Sequence, residues 1–186
     1  RTLRNFSVLE LSQLFNEAFA DYFIKIEVTP EILAEKINAE NIKTEMSVGV
    51  FSDNKPQGFI LHAVREINGE KVVYNAGTGV VPYFRGNKSA VKMYDYILPK
   101  LKEAGVKKVV LEVMEQNVAA IKSYLNSGFR KVVNLECFNG NVQLIHYNNT
   151  IEFRKTENKI ISELEGFKDW EASWQHDNLS VIQSSV

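Results

Sequence analysis

Residues 79–132 read GVVPYFRGNKSAVKMYDYILPKLKEAGVKKVVLEVMEQNVAAIKSYLNSGFRKV and alternate between strand and helix patterns. A strand opens the segment, and apolar side chains then recur at helical spacing over 87–104. The β-branched run at 106–113 predicts a buried strand, and Asn117 can cap a second helix over 117–127. A strand–helix–strand order implies a right-handed crossover and at least one parallel strand pair.

Upstream of this segment the sequence predicts antiparallel strands and two helices. Three strand-like runs follow one another at 46–51, 59–67 and 72–81. Because Asn68-Gly69 is a strong hairpin signal, we expect consecutive antiparallel strands there. Two helices precede them: one at 10–20 with a single apolar face, and one at 29–37, where Thr29 can cap the helix and Pro30 suits its first position.

Downstream, 129–138 and 142–147 have the pattern of two further strands joined by an Asn139-Gly140 turn. The element order predicts an α/β (α+β) fold with a mixed, mostly antiparallel central sheet and helices on both faces. We therefore assign residues 1–148 to one domain.

Residues 149–186 form a C-terminal extension with two interpretations. Its order of strand, helix and aromatic–acidic segment weakly repeats the order at the N-terminus. The extension is either an appendage that packs on the domain or the start of a second, related domain that is cut short.

Composition excludes several classes of protein. The 186 residues carry 22 Lys and Arg against 23 Asp and Glu, which argues against a dedicated nucleic-acid binder. No apolar run approaches the roughly 18 residues that predict a membrane span. A single cysteine, Cys137, fits a reducing compartment, and with three scattered histidines it makes no zinc-site pattern. We expect a cytoplasmic protein without a metal.

The loop within GVVPYFRGNKSA, residues 79–90, is a candidate anion site. It follows a strand and opens a helix, whose N-terminal N–H groups carry partial positive charge. Arg85 and Lys88 add full charges, so a diphosphate is the natural ligand. An ordinary strand-to-helix connection capped by Asn87 explains the loop equally well.

Two motifs at this separation resemble the GCN5-related N-acetyltransferases. The family's pyrophosphate loop, V-x-P followed by Q/R-x-x-G-x-G/A, is matched at Val80, Pro82, Arg85 and Ala90. Its later segment, N-x-x-A-x-x-x-Y-x-x-x-G-F, is matched at Asn117, Ala120, Tyr124, Gly128 and Phe129. Lys88 departs from the pattern, because it stands where the family usually has its middle glycine. The departure leaves open whether binding is weakened or shifted.

The resemblance implies the acyl-CoA N-acyltransferase fold, acetyl-CoA as donor and a primary amine as acceptor. Tyr124 would protonate the leaving thiolate, and Glu112 would be the base that takes a proton from the amine. Asn117 would hold the cofactor or the start of its helix. The cofactor-binding residues it implies are Val80, Val81, Arg85, Gly86, Asn87, Lys88, Ser89, Ala90, Asn117, Ala120 and Ser123.

The acceptor and the oligomeric state are left open. The acceptor is a small-molecule amine or a peptide or protein amine, and a homodimer is one of the assemblies considered. Candidate acceptor contacts are Asp21, Tyr22, Phe23, Glu27, His146 and Tyr147. Two other functions compete with the enzyme: a non-catalytic acyl-CoA-binding module, and a protein-interaction domain that kept the fold. A Rossmann domain fits poorly, because GNKSA is not GxGxxG.

Overall fold

A computed structural model describes residues 1–22, 25–136, Gly140, Ile160 and 173–183, and begins with two capped helices. α1 spans Val8–Ala18, and Ser7 and Glu10 form a capping box at its start. α2 spans Pro30–Glu40, and the Thr29 hydroxyl accepts the Ile32 N–H at 3.3 Å. Both helices confirm the sequence prediction.

Four strands form one sheet in the order β1-β2-β3-β4. Their bounds are Val48–Ser52 (β1), Lys55–Ile67 (β2), Glu70–Val80 (β3) and Val106–Val110 (β4). β1, β2 and β3 are antiparallel neighbours, and β4 runs parallel to β3. Asn68 and Gly69 make the β2–β3 turn with φ of 52° and 75°, as an Asn-Gly hairpin requires. The predicted mixed, mostly antiparallel sheet is confirmed.

Helices cover both faces of this sheet. α3 spans Ser89–Glu103 and α4 spans Val118–Asn126. One apolar cluster joins the sheet to α1 and α2, and a second joins its other face to α3 and to Tyr124 of α4. We call these the α1/α2 face and the α3/α4 face.

Two strand predictions fail. β4 was predicted as a buried strand over 106–113, but it ends at Val110 and buries only Val106, because it lies at the edge of the described sheet. Residues 129–136 form no strand. Val132 and Val133 stay exposed there, so no burial favours strand pairing. The predicted strand at 142–147 and positions 137–139 lie outside the described residues.

The described part of the C-terminal extension packs on the domain. A 3₁₀ turn, Trp174–His176, leads into the short helix α5, Asn178–Gln183. α5 contacts α2, and Trp174 belongs to the apolar cluster of the α1/α2 face. The hypothesis of a second domain concerns residues that mostly lie outside the described ranges.

The helices that the structure describes are short. The longest, α3, has 15 residues, fewer than the roughly 20 that cross a bilayer, and none of them qualifies as a membrane span.

We expect His62 to make stability depend on pH. The ring is fully buried in β2, its Nδ1 lies 2.7 Å from the Met46 carbonyl oxygen, and burial lowers the pKa of His62 to about 4. In the unfolded chain the histidine has a pKa near 6.5. Between about pH 4 and pH 6.5, the unfolded chain therefore binds more protons than the native state. The free energy of unfolding should therefore fall by about 2–3 kcal/mol between pH 7 and about pH 4.5. Urea unfolding of the wild type and His62→Gln measures this, and an equal loss in the variant would contradict it.

Candidate active site

The sheet opens between β3 and β4. The two strands pair only from Lys71–Val106 to Tyr74–Val110, whereas β3 continues to Val80. The β2–β3 register slips by one residue at Ala76, which marks a bulge. The end of β3 therefore borders a gap in which no described strand pairs with it.

The backbone of Val80 points a donor into this gap. The Val81 N–H donates to the Gln57 carbonyl on the β2 side at 2.8 Å. Since N–H groups alternate in direction along an antiparallel strand, the Val80 N–H points away from β2. It is available to an acceptor that lies between β3 and the end of β4.

The loop after β3 presents a row of backbone N–H groups. A 3₁₀ turn, Pro82–Phe84, leads to Gly86 and Lys88, both with positive φ (80° and 58°), and α3 begins directly afterwards. Within the described chain, the N–H groups of residues 86–91 have no hydrogen-bond acceptor. Together with the positive end of α3, these donors give the loop the hydrogen-bonding groups and the electrostatic potential that suit an anion.

Asn87 does not cap α3. The N-cap is Lys88, which makes no side-chain capping bond, and the Asn87 amide instead donates to the Phe84 carbonyl at 3.4 Å. The expectation of a connection capped by Asn87 is wrong, because the left-handed turn at Lys88 shifts the helix start by one residue.

Arg85 is bound to the end of α1. Its guanidinium makes two 2.8 Å hydrogen bonds to the Asp21 carboxylate, a third to the Ala18 carbonyl, and one to the Val80 carbonyl at 3.0 Å. The Arg85 hydrogen bonds lower the pKa of Asp21, so the pair stays ionised. The charge of Arg85 is thus balanced by Asp21, and the exposed Lys88 is the other cation of this loop.

Tyr124 lies on the α3/α4 face beside the gap. Asn117 is the N-cap of α4, where its Oδ1 accepts the Ala120 N–H at 3.1 Å. About two turns further on, the Ser123 hydroxyl donates to the Ala119 carbonyl at 3.0 Å, and the Tyr124 ring meets Tyr94 edge-on at 6.2 Å. Two roles were expected for Asn117, holding the cofactor or holding the start of its helix, and the structure shows the second.

Burial raises the pKa of Tyr124, while the nearby Thr78 hydroxyl and Asn75 amide act in the opposite direction. Asn75 is buried; its Nδ2 donates to Thr78 Oγ1 at 2.7 Å and to Tyr94 Oη at 2.8 Å. Tyr124 is therefore a protonated phenol in a polar cluster at the bulge. Sequence reasoning missed Asn75, because only the register between β2 and β3 places it in the polar cluster beside Tyr124.

Glu112 lies just beyond β4 and reaches the opposite face. Its side chain is exposed, and its Oε1 accepts the Trp174 backbone N–H at 3.2 Å. Burial, and then the Glu112 carboxylate, raise the pKa of Tyr74. Glu112 and Tyr124 thus belong to the two different faces of the sheet.

A cavity of about 330 Å³ lies at the connection between α1 and α2. It is lined by Asn16, Phe19, Ala20, Tyr22, Lys25, Ile26 and Glu27. Tyr22 and Glu27, two of the predicted acceptor contacts, therefore share one concave surface, while Asp21 is paired with Arg85. Phe23, His146 and Tyr147 lie outside the described residues. Across the described ranges, no group of three or more His, Cys, Asp and Glu side chains could hold a metal ion.

We expect opposite effects from two substitutions in the anion loop. Gly86→Ala should lower the free energy of unfolding by about 1 kcal/mol, because a Cβ disfavours its positive φ. Lys88→Gly should raise it by up to about 1 kcal/mol, because glycine adopts the left-handed conformation without strain. A Cβ at Gly86 meets no atom within 4 Å, so the first effect reports backbone conformation alone. Urea denaturation measures both, and changes of the same sign would contradict the expectation.

Comparison with known proteins identifies the family and the fold. A sequence model of the acetyltransferase (GNAT) family matches residues 9–129, and no curated protein matches the chain. Among solved structures, the aminoglycoside acetyltransferase AAC(6')-Iy with a bisubstrate analogue is 17% identical, over 76% of this chain and 97% of that one, with TM-score 0.57. Glucosamine-6-phosphate N-acetyltransferase from Arabidopsis thaliana is 16% identical, over 74% and 95%, with TM-score 0.54. The NatC complex bound to Gag peptide and CoA is 18% identical, over 69% and 80%, with TM-score 0.54. These structures share the fold.

Proposed function

The chain belongs to the acetyltransferase (GNAT) family, and from that premise we propose that it transfers the acetyl group of acetyl-CoA to a primary amine. The amine nitrogen attacks the thioester carbon directly, in a complex of both substrates. One observation carries this proposal: the gap between β3 and β4 opens beside a loop whose N–H groups have no acceptor in the described chain.

The donor fits the loop and the gap. The N–H groups of residues 86–90 and the end of α3 suit a pyrophosphate, and Lys88 adds an exposed cation. Arg85 fixes the loop to α1 rather than contacting the anion through its guanidinium. The pantetheine arm would lie beside β3, where the Val80 N–H can donate to the thioester carbonyl oxygen and stabilise the charge that develops there.

Glu112 and Tyr124 divide the proton transfers. A free alkyl ammonium has a pKa near 10.4, so only about one molecule in two thousand is neutral at pH 7. Glu112, directly or through water, takes a proton from the ammonium group, and the neutral nitrogen then attacks the thioester carbon. The nitrogen loses its second proton to solvent as the amide forms. Tyr124 gives its proton to the sulfur as the C–S bond breaks, and the raised pKa of Tyr124 keeps that proton available.

The acceptor is a small-molecule amine or the amine of a peptide. AAC(6')-Iy and the NatC complex, which share the fold, are described with an acetylneamine analogue and with a peptide. The cavity beside α1 offers Tyr22 and Glu27, and a carboxylate there suits a cationic amine.

Thermal melting with and without saturating acetyl-CoA tests the donor site. A ligand at about 100 times its dissociation constant adds roughly 2.7 kcal/mol, which raises Tm by several degrees in a protein of this size. A panel of amines, assayed by release of free thiol, then tests transfer. An unchanged Tm would contradict the donor site, and a shift without thiol release from any amine would favour a non-catalytic acyl-CoA-binding module.

A further inference from the structure

The C-terminal segment 173–180 contacts Glu112, which takes the proton from the amine in the proposed mechanism. We propose that Trp174 is a positioning residue for Glu112, and that this segment forms part of the acceptor side of the site. The inference rests on the proposed function and deepens it. Its basis is the 3.2 Å hydrogen bond from the Trp174 N–H to Glu112 Oε1, between residues 62 positions apart.

The Trp174 side chain is fixed on the α1/α2 face. Its exposure is 7%, and its ring stacks on Tyr74 at 5.1 Å with an interplanar angle of 9°. The Arg65 guanidinium carbon lies 4.3 Å from the centre of the Trp174 ring, which adds a cation–π contact. Because Tyr74 is the last residue of β3 that pairs with β4, the indole lies where the sheet begins to open.

Buried hydrogen bonds hold the backbone around Trp174. Arg65, itself buried, donates to the Ser180 hydroxyl at 2.6 Å and is paired with the Asp177 carboxylate. The Ser180 hydroxyl donates in turn to the Trp174 carbonyl at 2.6 Å. The Trp174 peptide is therefore anchored by a cation that belongs to β2.

Besides the Trp174 N–H, Glu112 has the Tyr74 side chain as a polar neighbour, and Tyr74 itself stacks on the Trp174 indole. Glu112 lies two residues beyond the end of β4, in irregular backbone, and its side chain is exposed. A carboxylate in that setting samples several rotamers, whereas a base must stay within hydrogen-bond reach of its proton. The anchored Trp174 N–H supplies the restraint that β4 does not.

The segment acts as a fixed wall rather than as a moving lid. Opening it would expose the indole and leave Arg65 buried without its partners on Asp177 and Ser180. Gln175 extends the wall along α2, where its amide donates to the Glu40 carboxylate at 3.1 Å. An acceptor amine that binds beside Glu112 thus contacts residues of both the domain and the C-terminal extension.

A double-mutant cycle on the full chain tests this inference. Glu112→Ala should lower kcat for amine acetylation by roughly 100-fold. Trp174→Ala should lower kcat by roughly tenfold, because a displaced base loses alignment. If Trp174 acts through Glu112, the double variant should be no slower than Glu112→Ala alone. The KM for acetyl-CoA should stay unchanged in all three, since the anion loop lies beyond the contacts of this segment.

Trp174→Phe provides a second route if the alanine variant does not fold, because a phenyl ring still stacks on Tyr74. Its smaller loss of kcat should also vanish in the Glu112→Ala background. Leu9→Ala is the control: Leu9 is exposed on α1, outside this segment and outside the site, and kcat should be unchanged. Losses that multiply in the double variant, or a parallel rise in the KM for acetyl-CoA, would overturn the role of Trp174. A wild-type kcat in Glu112→Ala would instead reject Glu112 as the base.

Discussion

Tyr124→Phe should lower kcat for amine acetylation by roughly 10- to 1000-fold, the usual contribution of a general acid. The phenol lies beside the gap between β3 and β4, and burial raises its pKa, so it carries its proton at neutral pH. Phenylalanine keeps the ring contacts with Tyr94 and Phe129 and removes only the hydroxyl. The thiolate would then leave without a positioned proton donor.

The same substitution should leave the Tm shift produced by acetyl-CoA unchanged, because the pyrophosphate contacts belong to the anion loop. Tyr96→Phe is the matched control: it removes a phenol hydroxyl from α3 at a partly exposed position, and kcat should not change. Steady-state kinetics with the amine found in the panel gives both values. A Tyr124→Phe enzyme with wild-type kcat would reject this tyrosine as the acid.

Trp174→Ala should lower the free energy of unfolding by about 3–5 kcal/mol, the range for truncating a buried tryptophan. The loss combines the stacking on Tyr74, the contact with Arg65 and the burial of the indole in the α1/α2 cluster. With roughly 2–4 °C of Tm for each kcal/mol in a protein of this size, the melting temperature should fall by about 10 °C.

Differential scanning calorimetry measures this effect, and Leu179→Ala provides the comparison within the same segment. Leu179 is half-exposed, so its truncation should cost less than about 1 kcal/mol. An equally small effect at Trp174 would mean that the C-terminal segment is not held on the domain as the structure describes.

Local patterns in the sequence were sufficient for most of the fold. Ser7, Thr29 and Asn117 begin helices, and Asn68-Gly69 turns β2 into β3, because caps and tight turns depend on residues close together in the chain. The order of strands and helices followed from their periodicity, and the crossover rule then required the parallel β3–β4 pair. The two motifs at 79–90 and 117–129 also identified the family.

Burial and partner choice could not be inferred in this way. The run at 106–113 has the composition of a buried strand, yet β4 is exposed because it lies at the edge of the described sheet. Residues 129–136 show the same limit: their β-branched side chains suggested a strand, and only packing against a partner could have fixed one.

The electrostatics of the site depend on contacts between residues far apart in the sequence. Arg85 is paired with Asp21, 64 residues away, and Glu112 accepts a hydrogen bond from the Trp174 N–H, 62 residues away. The sequence alone shows which of these groups are charged. Which of them meet depends on how α1, the sheet and the C-terminal segment pack together, because burial selects partners that no local pattern specifies.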